Sequence, residues 1–224
     1  MKSYFLIAIC LLQIVSIYSA VPQIDVYVES LCPDCVDFIE GSFAEFYKYK
    51  NNEQLGIVNF IPFGNAEEKW NESKQKWEFT CQHGENECYG NLIETCAINV
   101  LGRVESYEVI MCIEKYISSM GKDFDKTLKK CVTDTTKLTN IQTCVTSDIG
   151  NEYQHQMAQK TGEHTYVPWI LVDGVHNTTV ENKILKSLVN YLCSLPGANC
   201  VNVVYEKLFD GDVKRKKCWI NAMG

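Results

Sequence analysis

Apolar and polar positions alternate along "QIDVYVES". Ile24, Val26 and Val28 take one set of positions and Asp25, Tyr27 and Glu29 the other, a period of two that predicts a strand. From Pro33 the spacing changes: Val36, Ile39, Phe43 and Phe46 fall three or four apart, so a helix runs to about Lys50, where Asn51-Asn52 and Gly56 end it. "GIVNFIPFG" is apolar enough for a strand buried on both faces. Strand, helix and strand of these lengths form a βαβ unit with parallel strands.

Toward the other end, "YVPWILVDGV" predicts a strand followed by an Asp173-Gly174 turn, a hairpin signal. In "ENKILKSLVNYLCSLPG" the residues Ile184, Leu185, Leu188, Tyr191 and Leu192 form one helical stripe that Pro196-Gly197 terminates. Between about 81 and 165 no strong strand signal appears. "NLIETCAINVLG", "YEVIMCIEKYISSMG", "FDKTLKKCV" and "GNEYQHQMAQKTG" all read as helices. The expected fold class is therefore α/β, a βαβ–ββα scaffold carrying a helical insertion, with Cys96, Cys112, Cys131 and Cys144 on or beside the inserted helices.

The ends of the chain read differently. Residues 1–20 have the form of a secretory signal peptide: Lys2, the apolar run "YFLIAICLLQIV", then Ser19 and Ala20, with Tyr18 a poor fit to the cleavage pattern. That run is too short for a membrane span, and no later run is long enough. Residues 21–200 form the expected domain and 201–224 a tail. In that tail the basic run "KRKK" at 214–217 reads as a solvated segment, with a processing site or an anionic-partner patch as the alternatives.

Composition narrows the class further. Hydrophobic residues make up 46% of the 224, enough for a real core that disulfides would staple rather than replace. A net charge of −7 argues against a nucleic-acid partner. Of twelve cysteines, Cys10 would leave with the signal peptide, and eleven in an oxidising compartment imply a disulfide framework. The sequons at Asn71 and Asn177 are candidate glycosylation sites in exposed segments of an exported protein.

The chemistry concentrates in "LCPDC", residues 31–35, at the first strand-to-helix junction. A C-x-x-C can be a redox pair, half of a zinc site or an inert crosslink. An inert crosslink would close almost no chain, and no second C-x-x-C completes a zinc site. As a redox pair, Cys32 stands at the N-cap and Pro33 at the first helical position, where the helix dipole and free N–H groups stabilise a thiolate. Cys32 is expected to be exposed, with Cys35 tucked beneath it. Thiolate Cys32 would attack a substrate disulfide, and Cys35 would then attack Cys32 and release the reduced substrate. No cation stands between the cysteines, which favours a reductant or exchange catalyst over a strong oxidase. In thioredoxin-like folds a proline loop lies against the redox pair and receives the substrate backbone; Val167-Pro168 is the candidate for that substrate-binding role.

The stretch "CQHGENECYGNLIETC", Cys81 to Cys96, resembles the signature of the gamma-interferon-inducible lysosomal thiol reductase family at Cys81, Gln82, His83, Gly84, Glu87, Cys88, Asn91 and Cys96. "IPFGNAEE", "WEFTC", "YVPWILVDG" and the cysteines 193, 200 and 218 extend the resemblance over nearly the whole mature chain. It implies a thioredoxin-like fold and a thiol reductase that cleaves protein disulfides at acidic pH. The place of action would be endosomes, lysosomes or the exterior. Cys32 and Cys35 would be catalytic, no cofactor would be required, and a small thiol or thiol protein would recharge the pair. Cys81, Cys88, Cys96, Cys112, Cys131, Cys144, Cys193 and Cys200 are then expected to form structural disulfides. His83 as a metal ligand with Cys81 is the disfavoured alternative, and no metal is expected. Gly84 is assigned to a turn, Gln82 and His83 carry no assigned role, and His155, His164 and His176 read as surface residues. With the redox pair set aside, nine exported cysteines leave one over. Cys218 is the candidate, through a disulfide-linked homodimer. Competing readings are a secreted binding protein on the same scaffold and a zinc-binding domain.

Overall fold

The structure is a computed structural model, and it describes residues 21–49, 51–198 and 200 together with the backbone of Cys218–Trp219. The signal-peptide reading of 1–20 and the rest of the 201–224 tail lie outside the described residues.

Strand β1 (Gln23–Val28) lies at the centre of a sheet ordered β2-β1-β6-β7. It pairs in parallel with β2 (Ile57–Pro62), Gln23 opposite Ile57 and Val28 opposite Pro62, as the βαβ pattern predicts. On its other side it runs antiparallel to β6 (Trp169–Val172), which turns through Asp173-Gly174 into β7 (Val175–His176). A short strand β5 (Tyr166–Val167) precedes β6 and pairs antiparallel with β8 (Cys218–Trp219).

The first helix is α1 (Pro33–Phe38), continued by a widened π turn (Ile39–Phe43) and α2 (Ala44–Tyr47). Of its predicted apolar face, Ile39, Phe43 and Phe46 are buried with Phe38 and Phe60 against the sheet, while Val36 is only half-buried. Ser42, in the π turn, donates to the carbonyl of Ile184 at 2.5 Å and accepts from the N–H of Leu188 at 2.7 Å. Those two contacts sit where the final helix divides. The continuous helix expected from the stripe is instead α8 (Thr178–Lys186) and α9 (Leu188–Cys193), split at Ser187. That residue is extended, and its hydroxyl caps α9 by accepting from the N–H of Asn190. The stripe survives the break, because Ile184, Leu185, Leu188 and Leu192 are all buried.

One hairpin was not apparent from periodicity: β3 (Glu67–Asn71) and β4 (Lys76–Thr80), nearly all polar, paired around Trp70 and Trp77. Its turn carries the Asn71 sequon. Asn177, the second sequon, is exposed and caps α8 through its side-chain oxygen.

The insertion comprises α3 (Glu85–Leu101), α4 (Arg103–Ile117), α5 (Phe124–Cys131), α6 (Thr135–Thr146) and α7 (Asp148–Lys160). It buries its own cluster around Ile93, Ile113, Phe124 and Leu128. Disulfides Cys96–Cys144 and Cys112–Cys131 tie α3 to α6 and α4 to α5. Gly150 lets α7 approach beside the first of these: a Cβ there would meet the carbonyl oxygen of Cys144 at 2.1 Å. Among the described residues no helix is long and apolar enough to cross a membrane.

Candidate active site

Cys32 is the N-cap of α1, with extended dihedrals, Pro33 begins the helix, and the N–H of Val36 closes the first turn on the Cys32 carbonyl at 3.1 Å. Cys35 lies one turn in, among the core residues. The expectation that Cys32 is exposed is not met: its relative exposure is 0%, the same as Cys35. The cause is β5. The Val167-Pro168 bond is cis, and the Val167 carbonyl oxygen lies 3.8 Å from the Cys32 sulfur. Since Cys32 is disulfide-bonded, its sulfur has no proton to donate, and this is a packing contact rather than a hydrogen bond. The predicted substrate loop and redox cysteine are thus brought together.

The two cysteines of the C-x-x-C are not bonded to each other. Cys35 is a free, buried thiol. Burial pushes its pKa well above the ordinary thiol range; a hydrogen bond from the Glu29 backbone opposes this, and the carboxylates of Glu29, Glu114 and Glu94 raise it further.

Those acids were invisible in the sequence pattern. Glu29 belongs to the polar set of the alternation, yet it is 1% exposed, because the end of β1 is covered on both faces. Its pKa is pushed up to about 8 by burial and by the charge of Glu87, against a hydrogen bond from the Asn65 N–H to its Oε1. Gly64 makes that approach possible: at φ +56, a Cβ would sit 2.3 Å from Cγ of Glu29. Glu94, on α3, is raised to about 7 by burial, and Glu114, on α4, is raised by burial and by the charge of Glu94.

The signature stretch now acquires physical roles. Gly84, at φ +86, turns the chain into α3 as expected. Glu87 reaches back to cap that helix, its Oε1 accepting from the His83 N–H at 2.9 Å while Oε2 meets the His83 ring at 2.5 Å. The same ring nitrogen is 3.8 Å from Oε2 of Glu29, so His83 connects the surface to the buried acid. Gln82 accepts from the side-chain amide of Asn65 at 2.7 Å. Asn91 accepts from the N–H of Ser30 at 2.9 Å, and the Ser30 hydroxyl donates to the Glu87 carbonyl. The Cys81–Cys88 disulfide closes the loop that carries Gln82 and His83. It also removes Cys81 as a metal ligand; among the described residues, Glu29, His83 and Glu87 form a group whose ligand atoms, all within 4.8 Å of one another, could hold a cation.

The remaining predicted positions are distributed elsewhere. Cys193–Cys200 closes a loop after α9. The histidines read as surface residues are instead partnered: His155 stacks on Trp77 and bonds Glu68, His176 stacks on Trp169, and His164 packs edge-on against Tyr27. For His155 and His164 the covering aromatic ring comes from a distant segment, which local sequence does not reveal, whereas Trp169 covers His176 from within the β6–β7 hairpin.

Comparison with known proteins agrees with this arrangement. The family model described as gamma interferon inducible lysosomal thiol reductase (GILT) matches residues 23–135. A gamma-interferon-inducible lysosomal thiol reductase from Carassius auratus is 37% identical over 77% of this chain and 67% of its own length. The protein of the same name from Mus musculus is 32% identical over 67% of this chain and 60% of its own length. GILT-like protein 1 of Drosophila melanogaster is 32% identical over 88% of this chain and 85% of its own. The chain thus spans about two thirds of the goldfish and mouse relatives. With the match running through the strand, the cysteine turn and the signature helix alike, the chain belongs to the gamma interferon inducible lysosomal thiol reductase family.

Proposed function

We propose that the protein is a thiol reductase that cleaves protein disulfides through Cys32 and Cys35 on a thioredoxin-like scaffold, in the acidic part of the secretory pathway or outside the cell. The observation that carries this reading is the stacking of three groups. The Val167 carbonyl lies over the sulfur of Cys32, at the start of a helix, with a free Cys35 thiol one turn behind it. The sheet order, with a parallel β1–β2 pair flanked by an antiparallel β6–β7 hairpin, supports the scaffold. The relatives named lysosomal thiol reductase support the activity and the compartment.

In the mechanism, the Cys32 thiolate attacks one sulfur of the substrate disulfide, and the other sulfur leaves as a thiol. Cys35 then attacks Cys32, forming the intramolecular disulfide and freeing the second substrate thiol. The helix start must lower the Cys32 pKa, because an ordinary thiol would be only roughly one part in three thousand ionised at about pH 5. At about pH 5 the buried acids around Cys35, Glu29 and Glu94 among them, hold their own protons, so the proton that Cys35 gives up goes to the departing substrate sulfur. An extended substrate would lie along β5, with its backbone at Val167 and Pro168.

The test is reduction of a disulfide-bonded protein at about pH 5, with a small-thiol reductant, by wild type, Cys32→Ser and Cys35→Ser. Turnover is expected only in the wild type, with Cys35→Ser trapping a mixed disulfide. Equal turnover in all three would overturn the reading. A second reading, a binding protein on this scaffold, is favoured by one observation, the sealed Cys32; it requires no turnover even in the wild type once the sulfur is exposed.

A further inference from the structure

Three side chains of ligand type converge where the end of β1 meets the start of α3. Carboxylate oxygens of Glu29 and Glu87 and the ring nitrogen Nδ1 of His83 all lie within 4.8 Å of one another. Both glutamates are buried, whereas the His83 side chain is 34% exposed and forms the mouth of the cluster. Two carboxylates withdrawn from water beside each other are costly unless a cation compensates them. Among the described residues no lysine or arginine is paired with either one.

The hydrogen bonds point the same way. Oε1 of Glu29 accepts from the Asn65 N–H at 2.6 Å. Oε2 of Glu29, 3.8 Å from the His83 ring nitrogen, is fully buried and finds no hydrogen-bond partner among the described residues. The side-chain oxygen of Asn65, in the loop that holds Glu29, is buried and unpartnered as well. Uncommitted buried oxygens at one corner of a fold are what a cation site offers before it is filled.

We infer that Glu29, His83 and Glu87 form a binding site for a divalent cation of the zinc class, entered past the His83 ring. Zinc holds nitrogen and oxygen ligands at about 2.0–2.2 Å, which sets tetrahedral ligand atoms about 3.4 Å apart. The His83 nitrogen is 2.5 Å from Oε2 of Glu87 and 3.8 Å from Oε2 of Glu29, so the two separations bracket that value. Side-chain movements of less than about 1 Å seat the ion, and a water completes the fourth position. One imidazole with two carboxylates suits zinc better than magnesium or calcium, which favour oxygen alone. Glu87 can ligate through Oε2 while its Oε1 keeps the His83 N–H that caps α3. The two carboxylates balance the charge of the ion, so the positive end of the helix does not oppose it. Any protons on the ligand atoms leave as the ion enters.

The ion ties the signature helix to the cysteine turn. The carbonyl of Glu29 accepts from the N–H of Cys32 at 3.2 Å, so a metal on the Glu29 side chain steadies the residue on which that turn is hung. His83 thereby gains a role with acid partners in place of Cys81, which is committed to Cys88. The site is independent of the thiol-reductase reading and stands or falls without it.

The experiment titrates zinc chloride alone into the full chain, first stripped with a chelator and then freed of it, at about pH 7.5 so that ligand atoms can deprotonate. Calorimetry should give one ion per chain, and thermal unfolding a Tm higher by about 5–10 °C at a hundredfold excess over Kd. His83→Ala, at the exposed mouth, should weaken binding by at least about tenfold and abolish the Tm rise. Glu87→Gln should do the same, and the His83 variant decides the matter if loss of the α3 cap unfolds that protein. Cys35→Ser and His155→Ala should bind as the wild type does, because neither side chain belongs to the site. Absence of saturable binding would overturn the proposal. So would binding that survives His83→Ala, binding lost with Cys35 or His155, or equal affinity for magnesium.

Discussion

Asn91, on the first inserted helix, holds the backbone N–H of Ser30 at 2.9 Å, two residues ahead of Cys32. The family signature thus lies beside the C-x-x-C rather than within it, and supplies the seat on which the turn carrying Cys32 rests. Cys96, at the end of the signature, anchors the same helix to α6 through Cys144. Replacing Asn91 by Ala would strand a buried N–H, at a cost of about 1–3 kcal/mol. Denaturant titration should show a lower midpoint with an unchanged slope.

Glu29 makes stability depend on pH in an uncommon direction. Its folded pKa of about 8 lies above the ordinary 4.5, so the folded state holds a proton that the unfolded chain releases. The favourable contribution is complete below about pH 4.5 and is lost as pH rises through about 8; Glu94, raised to about 7, acts in the same sense. Unfolding should show a lower Tm at neutral pH than near pH 5, and a free energy of unfolding lower by a few kcal/mol as an order of magnitude. Glu29→Gln should flatten that profile.

Cys35 should be silent to thiol reagents in the folded protein. It is fully buried, and its pKa is raised by desolvation and neighbouring acids. Titration with an aromatic disulfide reagent is expected to detect it only after denaturant is added. Immediate labelling in native buffer would contradict the burial.

Once reduced, Cys32 should behave oppositely. Its place at the helix start predicts alkylation that titrates well below about pH 8. A value above about 8 would remove the basis for thiolate chemistry in acid.

Loss of the Cys96–Cys144 bond should be costly. It closes 48 residues, which corresponds to about 4 kcal/mol of denatured-state entropy. The double Ala variant should unfold at markedly lower temperature, while single-turnover exchange at Cys32, measured well below that temperature, persists.

The scaffold was legible because its signals are local. Alternation gave β1, the three-and-four spacing of Val36, Ile39, Phe43 and Phe46 gave the site helix, and Asp173-Gly174 gave the β6–β7 turn. The misses have a common origin in contacts between distant segments. Glu29 looks solvent-facing until α3 and the Asn65 loop cover it, and Ser187 breaks a helix whose stripe is uninterrupted because Ser42 waits opposite. Cys32 was expected at the surface for a sound local reason, its N-cap position, but the lid over it comes from more than a hundred residues downstream. In the β3–β4 hairpin only β4 alternates, Trp77 and Phe79 between Lys76, Glu78 and Thr80; β3, Glu67–Asn71, has a single apolar residue, Trp70, so the pair gave no matching pattern to read.

The placement of the crosslinks has a consequence for a molecule that must work surrounded by thiols. The bond joining α3 to α6 sits in the helical cluster, with Cys96 and Cys144 almost wholly shielded from solvent. A recharging agent must approach sulfur along the bond axis, and here there is no path for it short of opening the bundle. That one crosslink can therefore be bathed in reducing fuel without being dissolved.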